Sequence, residues 1–387
     1  MQPSRPLSVC VVTDTFPKLS ETFILSQIEE LRQSGVQVTV VADHVAPATE
    51  ETHHLNVVRR WSAASRAEPQ VRRLPSRWAD RGVTGLDRAF GRRLMGVDAV
   101  ICHFGMNGVR VARTGHRMSG FPPIITVFHG FDVSMAAQDG TLDQYHPLFT
   151  HPGLLLTVNH PFRETLIGAG APQDRTRVHH LGIRPETIPF RDKDWSAPIR
   201  FLSVGRLTEK KGIDVALRAL GQLRVDQPDL HWRYDIIGDG DLRDTLEALT
   251  RDLNLSELVR FRGAQPHASV REAMAKADSF LLPSRTASTG DQEGIPIVLM
   301  EAMSAGLIVV STRHSGIPEL VRDGETGLLA DENDVSDLER SLRRVFEDRV
   351  ALTSMTNAAR RTIETEFHAD RQNAELVGWV EELARNR

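Results

Sequence analysis

Two stretches in the second half of the chain gather side chains that can do chemistry. Residues 291–306, DQEGIPIVLMEAMSAG, carry Glu293 and Glu301 eight positions apart, with a Gly, a Pro and an otherwise unbroken apolar run between them. Residues 204–214, VGRLTEKKGID, carry Arg206, Lys210 and Lys211 directly after an apolar stretch. Lysine occurs only at positions 18, 193, 210, 211 and 276, so two adjacent ones here carry weight. A carboxylate pair has three readings: an acid/base couple that cuts a glycosidic bond, a grip on a polar substrate, or solvated helix charge. Arg and Lys at the end of a strand suit a phosphate or diphosphate, since a guanidinium fork and an ammonium both pair with anionic oxygens. The plain alternative is a charged surface turn.

The elements expected around these residues narrow the choice. A strand ends at Pro283-Ser284, a polar loop with Gly290 follows, and Pro296 opens a helix that runs to about Ala305 with Gly306 as its stop. Glu293 then lies in the loop, and Glu301 lies on the helix about 7.5 Å further along at 1.5 Å per residue. Glycoside hydrolysis needs carboxyls about 5–5.5 Å apart for retention or about 6.5–9.5 Å for inversion, so spacing alone leaves the inverting geometry open. Water attack does not explain the phosphate-type cations, however. Two acids strung along a helix also suit hydrogen bonds from hydroxyl pairs at separate points of one long ligand. The N–H groups near Gly294 and Ile295, ahead of Pro296, would face an anion.

Strand-like and helical runs alternate from end to end. LSVCVVTD (7–14), VQVTVVAD (36–43), VDAVICHF (97–104), IITVFHG (124–130) and LLLTVN (154–159) read as strands, and their near-continuous apolar character fits parallel strands covered on both faces. A Pro- and charge-rich stretch, 184–198, reads as a linker. The pattern restarts with IRFLSVG (199–205), YDIIGDG (234–240), LVRFRG (258–263), ADSFLLPS (277–284), LIVVST (307–312) and TGLLA (326–330). The expected architecture is α/β, with two doubly wound Rossmann-like domains facing a cleft, and ligands beyond the carboxyl ends of the strands. The expected boundaries are 1–185, 199–360, and a C-terminal helix at 361–387 that packs back toward the first domain.

Bulk properties exclude several classes. The chain has 387 residues, a net charge of −4 and 25% charged residues, which is not the profile of a general nucleic-acid binder. Cys10 and Cys102 both sit in strand-like runs and read as inert core thiols, consistent with a cytoplasmic protein. No apolar run is long enough to span a membrane, and the first strand, from about Pro6, leaves no room for a signal peptide. Residues 58–95 hold ten arginines against three acids, with Trp61 and Trp78 interleaved. This is either a solvated insertion or a basic, aromatic surface that touches an anionic membrane peripherally. In GDGDLR (238–243), Asp239 and Asp241 form a literal D-x-D, but Arg243 replaces the third glycine of a phosphate loop. Gly238 and Gly240 read as a tight strand-to-helix turn that lets backbone approach a ligand, and no metal site is expected.

The E-G-I-P-I-V-L-M-E-A-M run resembles the E-x7-E signature of family four retaining nucleotide-sugar glycosyltransferases, which adopt the GT-B fold. SVGRLTEKKGID, DIIGDGDLR, FRGAQPHASVREAMAKADSFLLPS and STRHSGIPELVRDGETGLLA are similar to that family's other landmarks, in order, over nearly all of 199–345. DTFPKLSETFILSQIEEL and TVFHGFDVS resemble, more loosely, the branch of colanic-acid-type exopolysaccharide enzymes. The resemblance implies an acceptor-binding first domain and a donor-binding second one. It assigns Glu293 to donor-sugar hydroxyls, Glu301 to the ribose diol, Arg206 and Lys211 to the diphosphate, and His129 to the reacting carbon and donor sugar. Gly205, Gly238, Gly240, Gly294, Ile295 and Pro296 fall on the donor side. Thr15, Ser20, Thr22, His103, Asn159 and His160 are acceptor-side candidates. The loop TDTFPKLSET lacks the Gly-Gly of many relatives, so Thr15, Ser20 or Thr22 would replace that phosphate contact. No nucleophile is obvious; Asp132 and Asp14 qualify only if a covalent intermediate exists, and a same-face, ion-pair-like substitution is preferred.

The expected activity is metal-independent, retaining transfer from a nucleotide diphosphate sugar, with UDP as the nucleotide and no other cofactor. The acceptor is a hydroxyl of a carbohydrate-like molecule, either a lipid-linked polysaccharide unit or a natural-product aglycone. Two rivals are a nucleotide-sugar isomerase or hydrolase and a non-catalytic sugar-nucleotide binder.

Overall fold

The computed structural model describes residues 5–18, 21–47, 52–59, 90–195, 198–347 and 349–385. The chain forms two compact units, Met1–His179 with Gln372–Arg387, and His180–Arg371. Ser20 and residues 60–89, most of the basic 58–95 stretch with Trp61 and Trp78, lie outside the described residues.

The first unit is built on seven strands: β1 Ser8–Phe16, β2 Gln37–Val45, β3 Asn56–Arg59, β4 Ala99–His103, β5 Ile124–Phe128, β6 Gly153–Thr157 and β7 Thr176–Val178. They pair in parallel in the order β3-β2-β1-β4-β5-β6-β7. The chain steps outward on one side of β1 and then restarts on the other, so the switch point lies between β1 and β4. Every residue of β4, β5 and β6 is buried, as the unbroken apolar runs require. On one face, Val9 and Val11 pack with Ile24, Ile28 and Leu31 of the helix Thr22–Gln33 and with Leu376 and Val380 of the last helix, Ala369–Arg385. Cys10 and Cys102 are both buried, free thiols, and burial pushes Cys10 up to about 12.

The second unit has six strands: β8 Ile199–Val204, β9 Trp232–Ile237, β10 Val259–Phe261, β11 Ser279–Leu282, β12 Ile308–Thr312 and β13 Leu328–Ala330. All are parallel, in the order β10-β9-β8-β11-β12-β13. Alternation along the strands feeds two cores. Phe201, Leu281 and Val310 join one cluster, and their neighbours Leu202, Leu282 and Val309 join the other. The switch point falls between β8 and β11, the strands that deliver the Arg206–Lys211 and Ser284–Pro296 loops.

Three expectations need correction. β3 and β7, with four and three residues, did not stand out because neither carries a continuous apolar run. The stretch 184–198 is not a loose linker. It lies on the second unit: Trp195 is only 5% exposed within that unit's core and donates from Nε1 to Thr353 Oγ1 at 3.1 Å, while Lys193 Nζ donates to the Ala275 carbonyl at 3.3 Å. Its Pro and charge content masked one large apolar anchor. Pro296 is the N-cap rather than the first residue of its helix, which spans Ile297–Ser304, and Gly306 ends it at φ +82°.

One glycine sets the junction between β8 and β11. Gly212 turns at φ +64°, and a Cβ there would lie 1.9 Å from the Pro283 carbonyl oxygen. Gly35 has φ +82° with open space around it. Gly35→Ala therefore costs only the left-handed penalty, roughly 1–2 kcal/mol. Gly212→Ala adds a backbone collision and is expected to cost at least ~1 kcal/mol more in urea unfolding. Equal costs would show that the Gly212–Pro283 approach is not a constraint.

Candidate active site

Within the second unit, β8 ends in a turn that glycines allow. Gly205 sits at φ +156°, and its N–H donates to the Ile237 carbonyl at 3.0 Å. The Leu207 N–H donates to the Asp239 carbonyl at 2.9 Å. A Cβ on Gly238 would lie 1.8 Å from the Gly205 oxygen, and one on Gly240 would lie 2.7 Å from the Leu207 oxygen. The close approach these two glycines permit is thus to the backbone of the first loop, which reassigns the reading of a glycine turn open to a ligand. Asp239 is occupied locally: Oδ1 accepts from the Gly240 N–H at 2.9 Å, and Oδ2 lies 3.4 Å from Arg243 Nη1. No group of three His, Cys, Asp or Glu side chains converges as metal ligands among the described residues.

The 3-10 turn Glu209–Lys211 then grips the loop after β11 with three successive side chains. Glu209 Oε2 accepts from the Ser288 N–H at 3.0 Å and from its hydroxyl at 2.6 Å. Lys210 Nζ lies 2.9 Å from Asp291 Oδ2, and Lys211 Nζ lies 2.7 Å from Glu293 Oε1. Behind the turn, Arg285 reaches Asp214 at 3.1 Å. Glu293 is 8% exposed. Burial pushes its carboxyl up, but Lys211 and then Lys210 outweigh this and hold it below the ordinary glutamate value, so it is ionised at neutral pH.

Glu293's backbone is held from the other side. Its N–H donates to His314 Nε2 at 3.1 Å, and His314 Nδ1 lies 2.8 Å from Glu332 Oε2. The other Glu332 oxygen accepts from the Thr286 N–H. Burial raises the Glu332 pKa, but the Thr286 N–H and His314 bring it below the usual carboxylate value. Sequence reasoning assigned no role to His314 or Glu332. The signal was present: His314 stands two residues beyond β12 and Glu332 two beyond β13, the same carboxyl-end positions that drew attention to His103 and His129.

The remaining donor-side candidates differ in setting. Arg206 is exposed and makes no side-chain hydrogen bond or ion pair among the described residues. Gly294 is half-buried, and Ile295 and Pro296 are buried. Glu301 is half-buried on its helix, with His267 Nε2 at 3.4 Å from Oε1. The structure therefore joins Lys211 and Glu293 directly, and ties neither to Arg206 or Glu301 by a hydrogen bond or ion pair.

In the first unit, His103 ends β4 and His129 follows β5. His103 Nδ1 lies 3.2 Å from His129 Nε2, and the rings stack at 5.4 Å with an 18° angle between planes. Phe23 and Phe104 flank His129 at 4.6 and 4.8 Å between ring centres. Burial, with a smaller contribution from His179, lowers the His103 pKa to about 3. Burial, then His103 and His179, lower His129 well below its ordinary value. Both rings are neutral at pH 7, so one N–H is shared between them and His103 Nε2 is buried with no hydrogen-bond partner among the described residues.

The other first-unit candidates separate. Asn159 is a helix cap: its Oδ1 accepts from the Phe162 N–H at 2.9 Å, at the start of the helix His160–Gly168. His160 and Thr22 are exposed, and Thr15 is half-buried on β1. Asp132 ties two helix starts together: Oδ2 accepts from the Gly105 N–H at 2.7 Å, and Tyr145 donates to the Asp132 carbonyl at 2.6 Å. Burial raises the Asp132 pKa to about 7. Asp14 is exposed.

Comparison with known proteins places the chain. Residues 20–182 match the model of the glycosyl transferase 4-like domain, and residues 187–362 match that of glycosyl transferases group 1. The chain is 38% identical over 294 residues to the amylovoran biosynthesis glycosyltransferase AmsK of Erwinia amylovora, covering 75% of this chain and 72% of that one. It is 32% identical over 403 residues to WcaL of Salmonella typhimurium, assigned as a colanic acid biosynthesis glycosyltransferase, covering 95% and 98%. The crystal structure of HepE from Anabaena in complex with UDP superposes with a TM-score of 0.77 at 18% identity, over 97% of this chain and 100% of that one. The two parallel α/β units are those of the GT-B fold. This chain belongs to the group 1, family 4-like glycosyltransferases.

The buried histidines make stability pH-dependent. Their folded pKa values lie below the unfolded value of 6.5, so the unfolded chain takes up protons first as the pH falls. For His103 the loss begins near pH 6.5, reaches about 2 kcal/mol at pH 5, and ends near pH 3. His103→Gln is expected to shrink the stability difference between pH 7 and pH 5 by that amount in urea melts. An unchanged difference would place a charge on the pair.

Proposed function

We propose that this chain is a retaining glycosyltransferase that moves a sugar from a UDP-sugar to a hydroxyl of a carbohydrate-like acceptor in exopolysaccharide assembly. The observation that carries the reading is Glu293: a buried carboxylate kept ionised by Lys211, whose Nζ lies 2.7 Å from its Oε1. An ionised carboxylate only accepts hydrogen bonds, and sugar hydroxyls are donors that suit it. Glu301, half-exposed one helical stretch on, takes the ribose diol. Arg206, exposed and uncommitted among the described residues, and Lys211 take the diphosphate, whose growing charge fixed cations stabilise as it leaves. His129, neutral and buried, serves the sugar being transferred. The exopolysaccharide role is supported by the names of AmsK and WcaL, and the nucleotide by the UDP bound to HepE.

In this reading the departing phosphate oxygen helps take the acceptor proton on the same face of the sugar, and no divalent ion is needed. The acceptor is a lipid-linked oligosaccharide, approached from the inner membrane face. No described helix is long and apolar enough to cross a membrane, so contact would be peripheral, through the basic stretch 58–95.

The test is acceptor-dependent UDP release from UDP-glucose and UDP-galactose, with lipid-linked repeat units extracted from an exopolysaccharide producer. Glu293→Ala and Lys211→Ala should each lower turnover at least ~100-fold, the loss of one positioned transition-state contact. EDTA should leave the rate unchanged, and NMR of the product should show a retained anomeric configuration. Turnover without acceptor would indicate an isomerase or hydrolase, and binding without turnover a sugar-nucleotide binder.

Membrane contact is tested separately by sedimentation with anionic phosphatidylglycerol vesicles. Binding that fades with salt is expected; no binding removes the peripheral role of 58–95.

A further inference from the structure

We infer that His314 and Glu332 are positioning residues that set the backbone of Glu293, and through it the grip on the donor sugar; this rests on the reading of Glu293 given above. Glu293 is the meeting point of two independent restraints. Lys211 fixes its carboxylate, and His314 fixes its N–H. Because a backbone N–H can only donate, His314 Nε2 must accept and hold a lone pair. The ring proton is then on Nδ1, where it donates to Glu332 Oε2 at 2.8 Å. Glu332 thereby selects the tautomer that lets His314 hold the Glu293 N–H.

Three features show that this is a built arrangement. His314 is 1% exposed, so both ring nitrogens are used in the interior. The next residue, Ser315, holds φ +47°, a left-handed backbone that places His314 at a sharp turn before the short helix Ile317–Leu320. Glu332 also accepts from the Thr286 N–H, so a single carboxylate links the start of the β11 loop to the ring that holds its end. A misplaced Glu293 backbone would move the carboxylate relative to Lys211, and displacements of about 1 Å at a reacting centre cost on the order of 100-fold.

Two substitutions separate the roles of the ring nitrogens. His314→Gln places an amide oxygen near the position of Nε2 and keeps an acceptor for the Glu293 N–H. His314→Asn reaches only the Nδ1 position and leaves that N–H unmatched. The measurements are calorimetric affinities for UDP, UDP-glucose and UDP-galactose, and hydrogen exchange of the 285–296 segment, with thermal melts to confirm folding.

His314→Asn is expected to weaken whichever UDP-sugar wild type prefers by at least about tenfold, leave UDP itself within about twofold, and speed exchange in 285–296. His314→Gln should stay near wild type in all three. Glu332→Gln, which keeps the size but turns an N–H toward one of its two donors, should shift in the direction of His314→Asn and covers the case in which that variant does not fold.

Wild-type sugar affinity and exchange in His314→Asn, or in Glu332→Gln should His314→Asn not fold, would overturn the inference, as would equal losses in His314→Asn and His314→Gln. Glu293→Ala is the control for the underlying reading. If it leaves UDP-sugar affinity unchanged, that reading falls and takes the inference with it. If it weakens affinity while His314→Asn does not, the inference alone falls.

Discussion

The contact on which the second unit's site depends is a buried ion pair. Removing a carboxylate and an ammonium from water is expensive, and Coulomb attraction offsets this only when the geometry is held closely. Breaking such a pair by deleting one partner typically costs about 3–5 kcal/mol, because the other charge remains buried. Lys211 and Glu293 therefore constrain everything that holds them at 2.7 Å. Gly212 must turn left-handed against Pro283, Gly238 must give way to the Gly205 backbone, and the loop after β11 must follow one path. These demands meet at the switch point between β8 and β11, where the loops that follow two neighbouring strands are held together beyond the strands' carboxyl ends.

The first unit solves a different electrostatic problem. His103 and His129 are both buried, and both are kept neutral by that burial. A neutral imidazole beside two phenylalanines is an uncharged polar group in an apolar wall. It can direct a hydroxyl without attracting a phosphate. The second unit, by contrast, presents fixed charge. One chain thus offers a neutral polar edge in one unit and a charged one in the other, each at the carboxyl ends of parallel strands.

Much of this was legible in the sequence, and the reasons are physical. Continuous apolar runs mark strands buried on both faces, so β4, β5, β6, β8 and β12 were readable, while β3 and β7 carried too few residues to form such a run. Glu293 and Lys211 were readable because acids and cations are conspicuous in apolar surroundings. Their direct pairing was not, because it depends on two loops from neighbouring strands that lie far apart in the chain. Trp195 was hidden in a stretch whose composition matches a linker, and one aromatic anchor outweighed that composition. Asn159 looked like a ligand contact but is a helix cap, since the same polar atom that can meet a substrate can satisfy an orphan N–H. Gly238 and Gly240 announced a close approach, and the approaching group is the protein backbone at Gly205 and Leu207.

Three consecutive residues, Glu209, Lys210 and Lys211, each hold a different residue of the facing loop: Ser288, Asp291 and Glu293. Such an arrangement works like a toothed rack. Inserting or deleting a single residue in either loop would slip all three engagements at once and strand several charges together. Loop length here is consequently locked, although loops elsewhere in such folds tolerate insertion well. Descendants of this chain that diverge here would have to do so by exchanging side chains within a fixed frame, or by altering loops outside this rack.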